Sequence, residues 1–272
     1  MKYVLSTVLA ILCSSCVDEG QHETALDNAD VNRVWGGEIV TSANDSEWSN
    51  AVADLDGCTG LLIAPRLILT ARHCGMMPNA SFRYFDQSGN MQVETIPMVE
   101  IIRAPIFDGF SGNADIKIFL LQYPPAGVKP YWNPISDTDN SVGDQVLEVL
   151  GYGTGDGSTP GDTLRRGYNC TVTKDVLRFT YEWDYDNFDF WGVYWDCSEP
   201  EDWTVGEGGD SGASVFNQDG KMVALHVRSP EPENWGPYLA WTDSNGKRPY
   251  IDWINSVISR YTVLPSTYLL LM

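Results

Sequence analysis

Three short segments that lie far apart in the sequence carry a histidine, an aspartate and a serine, in that chain order. They are Thr70-Ala71-Arg72-His73-Cys74, Asn113-Ala114-Asp115-Ile116 and Gly209-Asp210-Ser211-Gly212-Ala213. A serine hydroxyl is a weak nucleophile until an adjacent base takes its proton. A histidine can accept that proton, and an aspartate can hold the histidine in the correct tautomer. A fold that uses His73, Asp115 and Ser211 together must bring three distant segments to one place.

The order of these residues and their local sequences resemble the chymotrypsin/trypsin family of serine proteases, in particular its secreted bacterial-type members. Subtilisins and α/β-hydrolases place the same residue types in other orders, and Ala213 breaks the esterase-type G-x-S-x-G motif. The resemblance covers residues 34 to about 260. It implies an all-β fold of two six-stranded antiparallel β-barrels, with the active site in the cleft between them and a C-terminal helix. The N-terminal barrel would span about 34–140 and the C-terminal barrel about 141–260 of a protease domain at 34–272.

Short apolar runs separated by glycine, proline, asparagine and aspartate agree with this fold, and 272 residues are an ordinary length for one all-β unit. Strands are predicted at Gly60–Ile63, Leu67–Thr70, Ile116–Leu121, Gln145–Leu150, Ala213–Phe216 and Met222–Val227. Apolar residues from Tyr250 to Ile258 recur at helical spacing and predict the C-terminal helix.

The resemblance also implies roles for individual residues. His73 would be the general base, Asp115 its orienting partner and Ser211 the nucleophile of an acyl-enzyme mechanism. The backbone amides of Gly209 and Ser211 would form the oxyanion hole. The expected substrates are proteins or peptides, and neither a cofactor nor a metal ion is predicted. Activity is expected to fall in acid, as His73 becomes protonated.

The segment Arg33-Val34-Trp35-Gly36-Gly37 resembles the activation site of the family, where cleavage after a basic residue frees an aliphatic N-terminus. The chain would then be made as a zymogen that an activating protease cuts after Arg33. The new ammonium group of Val34 would pair with Asp210 and order the oxyanion hole. Such a buried ion pair is stabilising only when it is well hydrogen-bonded.

The first 16 residues have the features of a secretory signal peptide, with a positive start and an apolar stretch too short to span a membrane. Leu12-Cys13-Ser14-Ser15-Cys16 resembles a bacterial lipobox, so lipidation of Cys16 and plain removal of the signal are alternatives. Residues 17–33 are polar and predict a tether or propeptide. We expect a secreted or cell-envelope protein, with membrane attachment only through a lipid on Cys16.

Four cysteines follow the leader, and an even number in an exported chain predicts disulfides. Cys58 and Cys74 flank the histidine segment as the bridge of the family does, so the resemblance implies that they pair. Cys170 and Cys197 would then pair with each other, at a place that is unusual for the family.

The formal net charge of −20, from 17 basic and 37 acidic residues, argues against nucleic acid as a partner, because phosphate binding needs a basic face. The segment from Tyr181 to Trp203 is rich in acidic and aromatic residues. Oxygen-rich loops can hold calcium, but this segment has no regular calcium-loop spacing. A solvated acidic insertion near the cleft is the favoured interpretation.

Three positions bear on the residue after which the chain would cut. Trypsin-like members carry an aspartate six residues before the nucleophile, and Val205 occupies that position, so basic specificity lacks its counter-charge. His226 and Ser229 align with the strand that walls the specificity pocket. Glutamyl endopeptidases of this superfamily place a histidine there to bind a substrate carboxylate. Acidic specificity, hydrophobic specificity and a purely structural His226 all stay open.

Two other functions stay open beside the protease. A catalytically inactive binding or scaffold protein on the same fold would use the acidic insertion as its interface. An esterase would use the same three residues on activated esters without cutting peptides. The complete set of His73, Asp115 and Ser211 favours the enzyme.

Overall fold

The computed structural model describes residues 37–43, 45–105, 115–136, 146–153, 163–174, 179–182, 208–227, 233–240, 242 and 245–262. For 146, 169–174, 179–182 and 233–235 the description is of the backbone alone. The predicted leader and tether lie outside these ranges, as do most of the acidic segment and Cys197. The expectations attached to them therefore stay predictions.

Six strands close into an antiparallel barrel in the order β2-β3-β4-β7-β6-β5. They are β2 (Val52–Asp54), β3 (Thr59–Ala64), β4 (Leu67–Thr70), β5 (Asn79–Phe85), β6 (Met91–Arg103) and β7 (Lys117–Leu121). A short 3-10 turn, Ser49–Ala51, leads into β2. Every residue of β3, β4 and β7 is buried, which explains why these strands are mostly apolar in the sequence.

The second sheet follows the order β12-β11-β8-β9-β10-β13, and the short strand β1 pairs with β9. Its strands are β1 (Glu38–Ile39), β8 (Val146–Gly151), β9 (Arg165–Lys174), β10 (Phe179–Glu182), β11 (Ser214–Asn217), β12 (Met222–Leu225) and β13 (Glu233–Gly236). Just beyond β13, Tyr238 bridges to Ala224, and the amide of Leu239 donates to the carbonyl of Val223 at 3.0 Å. The path of strands thus returns to β12, where it began.

Three aromatic rings join the two barrels. Trp48 and Tyr131 belong to the first half of the chain, and Phe216 lies on β11 of the second sheet. The ring centroids are 5.6 to 5.9 Å apart in all three pairs, a separation at which aromatic rings attract one another. The hydroxyl of Tyr131 also donates to the carbonyl of Gly220 at 2.6 Å. These contacts hold the barrels side by side.

The chain ends its described part in α1 (Pro249–Thr262), which buries Tyr250, Ile251, Ile254 and Val257. Proline suits the first helical position, and Asp252 and Arg260 lie at the ends where the helix dipole favours their charges. The hydroxyl of Tyr261 donates to Glu100 on β6 at 2.9 Å. The C-terminal helix therefore packs on the first barrel. Among the described helices none has the length and apolarity to cross a membrane.

The predicted fold class is confirmed as an all-β, two-barrel architecture with a C-terminal helix. Predicted strands agree with observed ones to within two residues, and the helix is longer at its C-terminal end than predicted. Among the strands that the sequence did not predict, β6 is the clearest case. Of its 13 residues, Ile96 alone is buried. A strand with so little buried surface has no apolar pattern to reveal it.

A disulfide joins Cys58 to Cys74, with 6.2 Å between their Cα atoms. This predicted pairing is confirmed. Cys58 directly precedes β3, and Cys74 follows His73, so the bridge ties the histidine segment to the barrel. Because Cys197 lies outside the described residues, its pairing with Cys170 stays a prediction.

Candidate active site

The ends of two paired strands bring His73 and Asp115 together. β4 and β7 are antiparallel neighbours, and Thr70 at the end of β4 is paired with Lys117 at the start of β7. His73 follows β4 by three residues, and Asp115 precedes β7 by two. Both residues therefore emerge from the same end of the barrel, although 42 residues separate them in sequence.

The side chains of the three predicted catalytic residues form one hydrogen-bonded chain. Nδ1 of His73 lies 2.7 Å from Oδ2 of Asp115, and the backbone amide of His73 donates to Oδ1 at 2.9 Å. Because a carboxylate only accepts hydrogen bonds, Nδ1 carries the proton. Nε2 is then free to accept from the hydroxyl of Ser211, which lies 2.8 Å away. This is the tautomer that a general base needs.

Ser211 lies in the tight turn that leads into β11. The next residue, Gly212, has a φ of +90°, and a Cβ there would lie 2.2 Å from both the Thr59 carbonyl oxygen and Thr70 Oγ1. The amide of Gly212 donates to the carbonyl of His226 at 2.7 Å. The turn is therefore wedged between the first barrel and the strand pair β11–β12, and only glycine fits directly after Ser211.

The amides of Gly209 and Ser211 are the predicted donors of the oxyanion hole. Gly209 has a φ of +104°, a backbone conformation that favours glycine. Within the described residues neither amide donates a hydrogen bond to another protein group. Among the described residues, both amides are therefore available to an oxygen of a bound molecule.

Asp210, between the two predicted oxyanion donors, is fully buried. Its Oδ1 accepts from the amide of Gly153 at 2.8 Å. A Cβ on Gly151 or Gly153 would lie within 2.2 Å of a carboxylate oxygen of Asp210. The backbone of residues 151–153 therefore packs directly against the carboxylate. Its predicted partner, Val34, and the predicted cleavage site at Arg33 lie outside the described residues.

The acidic member of the chain stays ionised in a partly open site. Burial works to raise the pKa of Asp115, but the hydrogen bonds and charge of His73 outweigh it, and the pKa lies below the ordinary value. The side chains of His73 and Asp115 are 46% and 34% exposed. A substrate can therefore reach the ring nitrogen that faces Ser211.

Lys117 is a neighbour of the site that was not predicted from the sequence. It is buried, donates to the carbonyl of Gly75 at 2.9 Å and lies 4.4 Å from the ring centroid of Phe119. Burial and the charge of Arg103 lower its pKa to about 8, against the attraction of Asp115. A lysine inside the apolar run that follows Asp115 was the signal in the sequence. Through its bond to Gly75, Lys117 ties the loop after His73 to β7.

Of the predicted pocket residues, the structure describes His226 alone; Val205 and Ser229 lie outside the described ranges. The side chain of His226 is 1% exposed. Burial, with a smaller contribution from the charge of His73, lowers the pKa of His226 to about 3. His226 is therefore neutral at physiological pH, so it can offer a substrate a hydrogen bond but not a positive charge.

The buried histidine predicts an acid-sensitive stability. Between its ordinary pKa of 6.5 and about 3, the unfolded chain binds a proton at His226 that the folded chain does not. The free energy of unfolding should therefore fall as the pH drops through this window, by at most about 1.4 kcal/mol per pH unit from this group. Urea denaturation from pH 7 to pH 4 should show a steeper loss for the wild type than for His226→Gln. Parallel curves would contradict a neutral, buried His226.

No three histidine, cysteine, aspartate or glutamate side chains in the described part of the chain gather closely enough to hold a metal ion. The acidic segment from Tyr181 to Trp203 is described only as backbone at its first two residues. The interpretation of this segment as a solvated insertion rather than a calcium loop stays a prediction.

A family model described as Trypsin matches residues 35–254. This range contains the hydrogen-bonded chain of His73, Asp115 and Ser211 and both barrels, and it ends inside α1. None of the curated proteins matches the chain.

Solved structures match over most of the chain at low identity. A Glu endopeptidase in complex with MPD is 18% identical, with a TM-score of 0.56, over 82% of this chain and 97% of that chain. Human heparin binding protein is 15% identical, with a TM-score of 0.57, over 82% of this chain and 96% of that chain. A protein described as GrC is 14% identical, with a TM-score of 0.58, over 82% of this chain and 99% of that chain. At these identities the likeness shows the fold alone.

Proposed function

This chain belongs to the trypsin family, and on that basis we propose that it is a serine endopeptidase that hydrolyses protein or peptide substrates through an acyl-enzyme. The observation that carries the proposal is the chain of hydrogen bonds from Asp115 through His73 to Ser211, at 2.7 and 2.8 Å. Such a chain activates a hydroxyl that is otherwise a poor nucleophile.

In the acylation step, Oγ of Ser211 attacks the carbonyl carbon of the scissile peptide bond, and Nε2 of His73 takes the hydroxyl proton. The amides of Gly209 and Ser211 stabilise the negative oxygen of the tetrahedral intermediate. As the carbon–nitrogen bond breaks, His73 passes its proton to the leaving amine. The C-terminal half of the substrate departs with this amine as its new N-terminus, and the N-terminal half remains as an ester of Ser211.

Deacylation repeats the sequence with water as the nucleophile. His73 takes a proton from the water as its oxygen attacks the ester carbonyl, and the same two amides hold the oxyanion. His73 then returns the proton to Oγ of Ser211, and the carboxylic acid product leaves. Asp115 stays ionised throughout and stabilises the protonated ring of His73 in each step.

Activation of the zymogen follows cleavage after Arg33 by another protease. The ammonium group of Val34 then pairs with the carboxylate of Asp210, inside the turn of Gly151 and Gly153. Because Asp210 lies between the two oxyanion donors, this pairing would set the orientation of their amides. The signal peptide would take the chain out of the cell or to the envelope, where a lipid on Cys16 would retain it.

The first test uses chain cut after Arg33, with the free Val34 N-terminus verified by Edman sequencing, beside uncut chain. A fluorophosphonate should add to Ser211 rapidly in the cut protein and slowly in the uncut protein, as read by intact mass. The cut protein should also cleave members of a peptide library. Equal rates before and after cutting would overturn the zymogen mechanism.

The same library assigns the role of His226. Cleavage after glutamate or aspartate, lost in His226→Phe, would make His226 the residue that binds the substrate carboxylate through its neutral N–H. Cleavage after large apolar residues, unchanged in that variant, would make His226 structural.

Two other outcomes would replace the proposal. A verified cut protein that neither reacts with the phosphonate nor cleaves any peptide would be a binding protein on the protease fold. Heparin binding protein shares that fold, but a formal charge of −20 disfavours a polyanionic ligand for the present chain. Turnover of activated esters without peptide cleavage would make the chain an esterase.

A further inference from the structure

Thr59 donates hydrogen bonds to both residues that carry the predicted oxyanion donors. Its backbone amide donates to the carbonyl of Ser211 at 2.8 Å. Its side-chain hydroxyl donates to the carbonyl of Gly209 at 2.9 Å. One residue of the first barrel, fully buried at the start of β3, therefore holds residues 209–212, here called the nucleophile turn, at two points.

Thr59 is itself held on every polar atom. Its Oγ1 accepts from the amide of Tyr152 at 2.9 Å, and its carbonyl accepts from the hydroxyl of Thr70 at 2.7 Å. An amide can only donate and a carbonyl can only accept, so the hydroxyl proton of Thr59 must point at Gly209. The preceding residue, Cys58, is fixed by its disulfide to Cys74. The direction of the bond to Gly209 is therefore set by the barrel and not by the turn.

This bond acts on a backbone position that no side chain of its own restrains. Gly209 has no Cβ and has a φ of +104°, so side-chain sterics do not select one orientation of its peptide groups. A hydrogen bond to its carbonyl fixes the peptide plane that follows Gly209. The second bond, to the carbonyl of Ser211, fixes the plane that follows the nucleophile. Oxyanion donors must be aimed before the charge develops, because their contribution depends on preorganisation.

We propose that Thr59 is a positioning residue of the oxyanion hole, acting beside the pair of Val34 and Asp210, and that its hydroxyl holds Gly209 with its amide directed at the substrate oxygen. The inference rests on the proposed function. Thr59 lies outside the His-Asp-Ser set and acts on the chemical step through the two carbonyls to which it donates.

The kinetic test compares Thr59→Val, which keeps the shape of the side chain and removes the hydroxyl, with Thr59→Ser, which keeps the hydroxyl. Thr59→Val should lower kcat by about 10- to 100-fold with little change in KM, since a small displacement of a catalytic donor has effects of that order. Thr59→Ser should stay within about threefold of the wild type, because the donor is retained. A kcat for Thr59→Val equal to that of Thr59→Ser would overturn the inference.

Ser49→Ala is the matched control for the loss of a buried hydroxyl. The hydroxyl of Ser49 also donates to one backbone carbonyl, at 2.9 Å, and accepts from one backbone amide, at 2.7 Å, but both belong to Ser46. This variant should lose stability like Thr59→Val and keep the kcat of the wild type. An equal loss of kcat in Ser49→Ala would show that Thr59→Val acts through stability alone, which would overturn the inference.

Hydrogen exchange separates the inference from the proposed function. A wild type without turnover or phosphonate reaction would refute the proposed function. Whether or not the wild type is active, the amides of peptide 208–213 should exchange faster in Thr59→Val than in the wild type or in Ser49→Ala. Unchanged exchange in Thr59→Val would refute the hold of Thr59 on the turn, whether or not the wild type is active.

Discussion

Replacing Ser211 with alanine should lower kcat by about 10⁶-fold, the order seen when the nucleophile of a serine protease is removed. The substitution deletes one oxygen, the atom that lies 2.8 Å from Nε2 of His73. Backbone contacts of the turn do not involve that oxygen: the carbonyl of Ser211 still accepts from Thr59, and the amide of Gly212 still donates to His226. The expected loss is therefore chemical and not structural.

The measurement is turnover of the best library peptide by chain cut after Arg33, with KM and thermal stability taken on the same samples. KM should change little, because the hydroxyl contributes to the reacting atoms and not to the binding of remote substrate groups. The phosphonate adduct should vanish in the variant. A variant with more than about one hundredth of the wild-type kcat would disprove Ser211 as the nucleophile.

Replacing Asp115 with asparagine should lower kcat by about 10⁴-fold, through the wrong tautomer of His73. Both oxygens of Asp115 face donors, the backbone amide of His73 at 2.9 Å and its Nδ1 at 2.7 Å. An amide side chain has one acceptor oxygen, so its NH₂ group must face one of the two. The backbone amide cannot become an acceptor, whereas the ring can, by moving its proton to Nε2. A ring protonated at Nε2 donates toward Ser211 and can no longer take the proton of the nucleophile.

Proton NMR measures the mechanism of this loss directly. The Nδ1 proton of His73 should be visible in the wild type and absent in Asp115→Asn, while kcat falls and KM holds. Asp252→Asn, the same change at an exposed residue in the first turn of α1, should leave both readings unchanged. An Asp115→Asn variant that keeps its kcat within tenfold would show that Asp115 neither orients His73 nor stabilises its charge.

The meeting of His73, Asp115 and Ser211 followed from the sequence because each residue lies inside a short segment of recognisable composition. The disulfide of Cys58 and Cys74 followed for the same reason. The strands that the sequence predicted are also the most buried ones, such as β3 and β4, where burial selects unbroken apolar runs. Where a strand is mostly exposed, as in β6, the sequence has no such pattern.

Other features of the site did not follow from the sequence, because contacts made far along the chain decide them. Nothing in the sequence around Thr59 marks it as part of the site. Its hydroxyl meets the carbonyl of Gly209, 150 positions away, only in the folded barrels. The charge state of His226 likewise could not be predicted from the sequence, because a histidine on a strand can be exposed to solvent or buried. Its burial, and not its sequence neighbours, makes it neutral.

The sequence by itself determined the residues on which the proposed chemistry depends: the three reactive residue types, their order, the family and the bridge beside the histidine. These properties are local, since the residues that define each one lie within a few positions of one another. The tertiary structure alone decided the tautomer of His73, the depression of the pKa of Asp115, the neutrality of His226 and the hold of Thr59 on the nucleophile turn. Each of these depends on distance, burial or hydrogen-bond direction between segments, and those quantities exist only once the two barrels have packed together.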